Sequence, residues 1–196
     1  MYQVFYSLLL ATGCRIGELC ALSWDNVDFE ENRIHICKHF ITDSTGTRIE
    51  EGCKTNAGDR WLYMDNETMD MLKEYQKYYY KTAKSFGNKW NYFTKAVFYS
   101  SHDPGNYISP CTPRTWLRNF TKKNNLPKIH PHQFRHTAIS LQLQNGISIP
   151  EAAKRAGHSR PDVTLRTYSH TLKNNDRHCC EVVTKAIPKM PKRKTG

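Results

Sequence analysis

The sequence predicts an α+β domain, mostly α-helical, with one small antiparallel three-stranded sheet. Apolar residues recur three and four positions apart at the start of the chain and again through its middle, the mark of amphipathic helices. Between those stretches lie three short runs, NRIHICKHFIT, TGTRIEEGCKT and DRWLYM, separated by the turn signals Ser44-Thr45-Gly46 and Asn56-Ala57-Gly58-Asp59. At 196 residues the chain can bury one core well and is short for two. No internal repeat or low-complexity linker divides it.

The first run, MYQVFYSLLLAT, is apolar on most sides. It lacks the basic n-region of a signal peptide and is too short to span a bilayer, so it reads as a buried helix. A chain that begins inside a buried element is expected to have lost an N-terminal segment. Gly13 then interrupts the pattern before RIGELCALSWDNVDF, where Ile16, Leu19, Cys20 and Leu22 resume helical spacing, so two helices are expected to meet at Gly13. In the sheet, Ile34, Ile36 and Phe40 alternate onto one face. Lys54 falls just before the second turn, where a rigid support lets a side chain swing out.

Asp65 or Asn66 is placed to cap a long helix reaching about Lys84, with Met69, Leu72, Tyr75 and Tyr79 on one stripe and lysines on the other. The polar stretch that follows reads as loop, apart from a short strand at Ala96-Val97-Phe98-Tyr99. Ser109 or Thr112 opens a basic helix, PRTWLRNFTKKNN, that stops at Asn125 ahead of Leu126-Pro127. A helical segment carrying His132 and Arg135 breaks at Asn145-Gly146, and a short helix runs from Pro150 to Ala156. One further helix is expected over residues 172–187, before a basic tail at 189–194. The predicted organisation is one functional domain over 1–170, with a C-terminal helix and tail over 171–196.

Twenty-nine Lys and Arg against eighteen Asp and Glu leave a formal charge of +11. That excess is the electrostatic footprint of a polyanionic partner, with nucleic acid leading and a basic solvated surface as the bland alternative. Seven cysteines without regular spacing, and no signal peptide, read as reduced thiols of a soluble cytoplasmic protein with no membrane segment.

The chemistry concentrates between His130 and His170. His132 and Arg135, three apart on a helix, project from one face and can grip one anion together. Gly157-His158 ends the short helix, and ten residues after His158 comes Tyr168, the candidate nucleophile. A tyrosine hydroxyl is a poor nucleophile near neutral pH because its unperturbed pKa is about 10; it needs a cationic pocket. If Arg15, Lys54, His132, Arg135 and His158 surround one phosphodiester, their donors stabilise the charge that builds during in-line attack. Arginine suits the task because its planar fork donates bidentately and stays charged. Lys54 suits protonation of the leaving 5′ oxygen, since an ammonium's pKa falls among other cations.

ATGCRIGEL, the lysine turn around Lys54, HPHQFRHT, AGHS and TYSH stand in an order that resembles the tyrosine recombinases of the phage integrase family. The resemblance spans roughly Met1 to His170. It implies a tyrosine recombinase catalytic domain that recombines double-stranded DNA at specific sites, for integration or excision of a mobile element. The implied intermediate is a 3′-phosphotyrosine with a free 5′ hydroxyl, formed without a metal or nucleotide cofactor. Carried over residue by residue, it makes Arg15 the first arginine, Lys54 the sheet lysine and His132 with Arg135 the His-x-x-Arg pair. His158 becomes the second histidine and Tyr168 the nucleophile. Lys38 and Lys73 are the alternatives for the lysine. Family members carry a helical core-binding domain ahead of the catalytic one, and the chain as given has none, so weak DNA binding is expected. The family works as homo-tetramers in which a C-terminal segment docks into a neighbour, a role that would fall to residues 172–187.

Blander readings stand beside these. Arg15 could simply pair with Glu18 or Asp25, and Lys54 could be a solvated turn lysine. His130, His132 and His136 invite a zinc reading, but no cysteine pair or carboxylate lies at ligand spacing, so no metal is expected. Arg114, Arg118, Lys122 and Lys123 recur on a connected helix surface and are expected to contact the DNA backbone. The competing functions are a non-catalytic DNA-binding module, with the helix at Pro150 as part of a helix-turn-helix, and type IB topoisomerase-like strand passage.

Overall fold

A computed structural model describes residues 1–44, 46–52 and 58–158. Lys54, Tyr168 and the helix expected over residues 172–187 lie outside the described residues. Helix α1 (Tyr2–Thr12) buries Phe5, Leu8 and Leu9 and ends at Gly13, whose φ of 63° closes the C-cap. The left-handed conformation there favours glycine, and an added Cβ would stand 3.3 Å from the Cβ of Ala138. Helix α2 (Ile16–Cys20) is shorter than its sequence pattern, because a 3-10 turn at Trp24–Asn26 takes the chain into strand β1 (Val27–Asp28).

The sheet is antiparallel and small, as expected, but its strands are distributed differently. The run expected as one strand divides at Cys37 into β2 (Arg33–Ile36) and β3 (Lys38–Asp43). β2 lies between β1 and β5 (Arg60–Tyr63), whereas β3, among the described residues, pairs only with β4 (Gly46–Glu51), forming a separate two-stranded ribbon. The alternation of buried residues changes at the same place. Ile34 and Ile36 face the core fully, while Lys38, His39, Phe40 and Ile41 are all half-buried.

Helix α3 (Asn66–Phe86) begins at the N-cap Asp65, whose carboxylate accepts the Thr68 N–H at 2.8 Å. Its buried stripe is Met69, Leu72, Tyr75, Tyr79 and Ala83, and the Tyr75 hydroxyl donates to the Val97 carbonyl at 2.9 Å. The stretch Ala96-Val97-Phe98-Tyr99 is buried as expected of a strand. Among the described residues it pairs only through isolated bridges to Ser23 and Tyr107.

Helices α4 (Cys111–Lys123), α5 (Pro131–Gln144) and α6 (Ile149–Ala156) complete the described chain. α4 turns Trp116 inward onto Tyr2, ring centroids 4.5 Å apart, and α5 places Phe134 against Tyr6 at 5.0 Å. Aromatic pairs of this kind, one stacked and one tilted, add about 0.5–1.5 kcal/mol each beyond the area they bury. They fix α4 and α5 against α1, leaving the basic side of α4 facing out. No described helix is long and apolar enough to cross a membrane.

Candidate active site

Three arginines from three parts of the chain meet at the C-terminal end of α6. A helix ends with carbonyls that have no partner within it and carry partial negative charge, so guanidinium groups are well placed there. Arg60 donates from Nε to the Arg155 carbonyl at 2.8 Å and from Nη2 to the Ala156 carbonyl at 3.2 Å. Arg135 donates from Nη1 to Ala156 at 2.6 Å and to the Gly13 carbonyl at 2.8 Å. Arg15 donates from Nη1 to the Gly157 carbonyl at 3.0 Å. His158 follows at once, its backbone N–H closing the helix on the Ala153 carbonyl at 2.9 Å.

Glu18, 4% exposed, ties the arginines together. One carboxylate oxygen accepts Arg15 Nη1 at 2.9 Å, and the other accepts Arg60 Nη2 at 2.9 Å and the Arg15 backbone N–H at 3.0 Å. Burial raises its pKa, but the facing Arg60 and Arg15 outweigh burial and hold it below the ordinary value. The Arg15–Glu18 pairing considered as the bland reading of Arg15 is therefore present. It does not remove Arg15 from the site, because the side chain stays 51% exposed and lines the adjoining pocket.

That pocket, about 610 Å³, is lined by Arg15, His132 and Arg135 together with Arg114, Arg118 and Lys128. Arg135 is 2% exposed, and its Nη2 is buried without a hydrogen-bond partner among the described residues. Burial pushes the Arg135 pKa down to about 10, helped by the charge of Arg15. Burial also lowers His132, with His136, Arg135 and Arg15 adding repulsion, and takes His158 down to about 4 with Arg135 and Arg15 as the next causes. Both imidazoles are neutral near pH 7, in a site that already holds several cations.

The structure thus brings Arg15, His132, Arg135 and His158 together, while Lys54 and Tyr168 lie outside the described residues. The alternative lysines are engaged elsewhere: Lys38 pairs with Glu51 at 2.7 Å and Lys73 with Asp70 at 3.2 Å, and neither lines the pocket. Of the basic-helix residues, Arg114 and Arg118 line the pocket; Lys122 and Lys123 are exposed further along α4 and do not. His136 packs edge-on to His132 at 4.5 Å. Among the described residues no group of His, Cys, Asp or Glu is arranged to hold a metal ion. Sequence reasoning missed Arg60 and Lys128. Arg60 had a signal, since alternation along DRWLYM puts it on the same inward face as Leu62, and an inward arginine requires a carboxylate.

The architecture is that of a tyrosine recombinase catalytic domain. The integrase of the Tn1549 transposon, solved in complex with transposon right end DNA, superposes with a TM-score of 0.75 at 24% identity, over 91% of this chain and 57% of its own. The XerA recombinase superposes with a TM-score of 0.61 at 26% identity, over 94% and 56%. The sequence family described as the phage integrase family matches residues 1–175, and the chain belongs to it. A tyrosine recombinase XerC-like protein of Caldanaerobacter subterraneus subsp. tengcongensis is 22% identical over 189 residues, 92% of this chain and 48% of that protein. The chain spans about half the length of the curated relatives it matches.

Proposed function

We propose that this chain is the catalytic part of a site-specific DNA recombinase, which cuts and rejoins duplex DNA through a 3′-phosphotyrosyl intermediate to integrate or excise a mobile element. The observation that carries the reading is the buried Nη2 of Arg135, unpartnered among the described residues, in a pocket shared with Arg15 and His132. An unsatisfied buried donor costs roughly 1–3 kcal/mol. A non-bridging phosphate oxygen would satisfy it, and the surrounding positive charge selects an anion.

In this reading Tyr168 Oη attacks phosphorus in line with the 5′ oxygen. The bond from phosphorus to Oη forms, the bond to the 5′ oxygen breaks, and Lys54 supplies the proton that leaves a free 5′ hydroxyl. His132, neutral and therefore able to accept, takes the tyrosine proton. His158 donates its ring N–H to a non-bridging oxygen. Arg15 and Arg135 offset the charge that builds there, a contribution typically worth 10²–10³ in rate per donor. One phosphoester replaces another, so the step runs in both directions without a nucleotide. Arg114 and Arg118, which also line the pocket, hold flanking phosphates, with Lys122 and Lys123 extending the track. Residues 1–170 carry the chemistry. Residues 171–196 supply the segment that docks on a neighbouring copy in a DNA-bound tetramer, and the protein works in the cytoplasm.

Covalent trapping on a pool of nicked duplexes, which lose a short fragment after cleavage, tests the reading. The expected result is a protein–DNA band on a denaturing gel that is absent from Tyr168→Phe. DNA binding without any such band would favour the non-catalytic binding module.

A further inference from the structure

We infer that Arg60 is a positioning residue of this site: its guanidinium sets His158 and Arg15 in place by holding the last carbonyls of α6 and the Glu18 carboxylate at once. The inference rests on the recombinase reading above and adds to it a residue that does not reach the DNA. Arg60 is 6% exposed and lines neither the 610 Å³ pocket nor the smaller cleft beside Arg15. Its effect on chemistry must pass through other side chains.

The geometry shows through which. Nε and Nη2 of Arg60 hold the carbonyls of Arg155 and Ala156 at 2.8 and 3.2 Å, the residues immediately before Gly157 and His158. Displacing those carbonyls displaces the imidazole. Nη2 also holds one Glu18 oxygen at 2.9 Å, while the other Glu18 oxygen holds Arg15 Nη1 at 2.9 Å, so Arg60 orients Arg15 through the carboxylate. Nη1 reaches the Gly58 carbonyl at 3.0 Å, at the start of β5 and four positions after Lys54 in the chain.

Only a planar fork can serve all these acceptors together; the compact ammonium of lysine would serve some and abandon others. The fit is close enough to dictate its neighbour. A Cβ on Gly157 would lie 2.6 Å from Arg60 Nη1 and 2.7 Å from Cζ, and Gly157 has a φ of +75°, so both space and backbone require glycine there.

The test is single-turnover cleavage of a duplex recovered from the trapped pool, by the full chain and its variants, with DNA affinity and thermal melting measured alongside. Arg60→Lys keeps the charge. Arg60→Met combined with Glu18→Gln removes both charges and avoids stranding a buried carboxylate, which would otherwise threaten folding. Each is expected to melt cooperatively, to bind DNA within about threefold of wild type, and to cleave on the order of 10- to 100-fold more slowly, the scale of a misplaced catalytic group. In a His158→Ala background, Arg60→Lys should lower the rate by a clearly smaller factor than in wild type, because one of the two groups it positions is gone and only its hold on Arg15 remains. A purely structural role would give the same factor in both backgrounds.

Folded variants that cleave as wild type does, or additive losses in the two backgrounds, would overturn the inference about Arg60 and leave the recombinase reading intact. Absence of any covalent adduct from wild type would overturn both.

Discussion

Arg60 and Arg135 are buried, with their guanidinium groups committed to helix-end carbonyls and, for Arg60, the Glu18 carboxylate. Arg114 and Arg118 stand exposed on α4 and line the same pocket as Arg135. The residue type is shared and the physics differs. A buried guanidinium is held in one geometry by acceptors that would be unsatisfied without it, so it serves as a fixed point for chemistry. An exposed one is hydrated and screened by salt, and suits attraction of a polyanion that arrives and leaves. The first region should therefore govern the rate of cleavage and the second the affinity for DNA.

The largest effect is expected at the first. Arg135→Lys removes the fork that faces the pocket, and cleavage should fall by roughly 10²–10³, read as single-turnover adduct formation at saturating DNA. Next is Gly157→Ala, which forces a Cβ into Arg60 and a side chain into left-handed backbone. It should lose about 1–3 kcal/mol of folding stability, read as a lower urea midpoint, whereas Gly146→Ala, at φ +82° with open space around it, tests the backbone term alone. Replacing both Arg114 and Arg118 by Gln should weaken DNA binding and reduce the salt dependence of log K by about two units, measured by fluorescence anisotropy across a salt series. An unchanged slope would mean that α4 does not meet phosphates.

The smallest effect concerns pH. His158 has a folded-state pKa near 4 against an ordinary value of 6.5, with burial the main cause. The unfolded chain therefore takes up its proton first, so stability present above about pH 6.5 is lost as pH falls toward 4. His132 acts in the same direction. Glu18, held low by Arg60 and Arg15 against its burial, adds a further loss at more acid pH. Urea midpoints at pH 7 and pH 5 check this; equal midpoints would mean that His158 is not shielded as the geometry has it.

The two regions also differed in how readable they were. α4 and α3 were legible because amphipathic periodicity and a cap such as Asp65 are local properties of the chain. Arg15, His132, Arg135 and His158 were legible as motifs, though nothing in their spacing shows that they converge on the end of α6. The division of one strand run at Cys37 was not legible, since it depends on which partner each half finds: β5 for Ile34 and Ile36, β4 for the residues beyond. Arg60 shows the same limit. Its inward position follows from alternation along β5, but its acceptors lie 42 and 96 positions away in the chain, at Glu18 and Ala156, and only the folded arrangement supplies them.

The division of labour is tested most directly by single-turnover cleavage measured against DNA concentration, for Arg135→Lys and for Arg114→Gln combined with Arg118→Gln in parallel. Arg135→Lys should lower the plateau and leave the midpoint within about threefold of wild type, while the double replacement on α4 should move the midpoint to higher DNA concentration. A plateau unchanged by Arg135→Lys, with the midpoint shifted instead, would contradict it by making the buried arginine one more affinity contact.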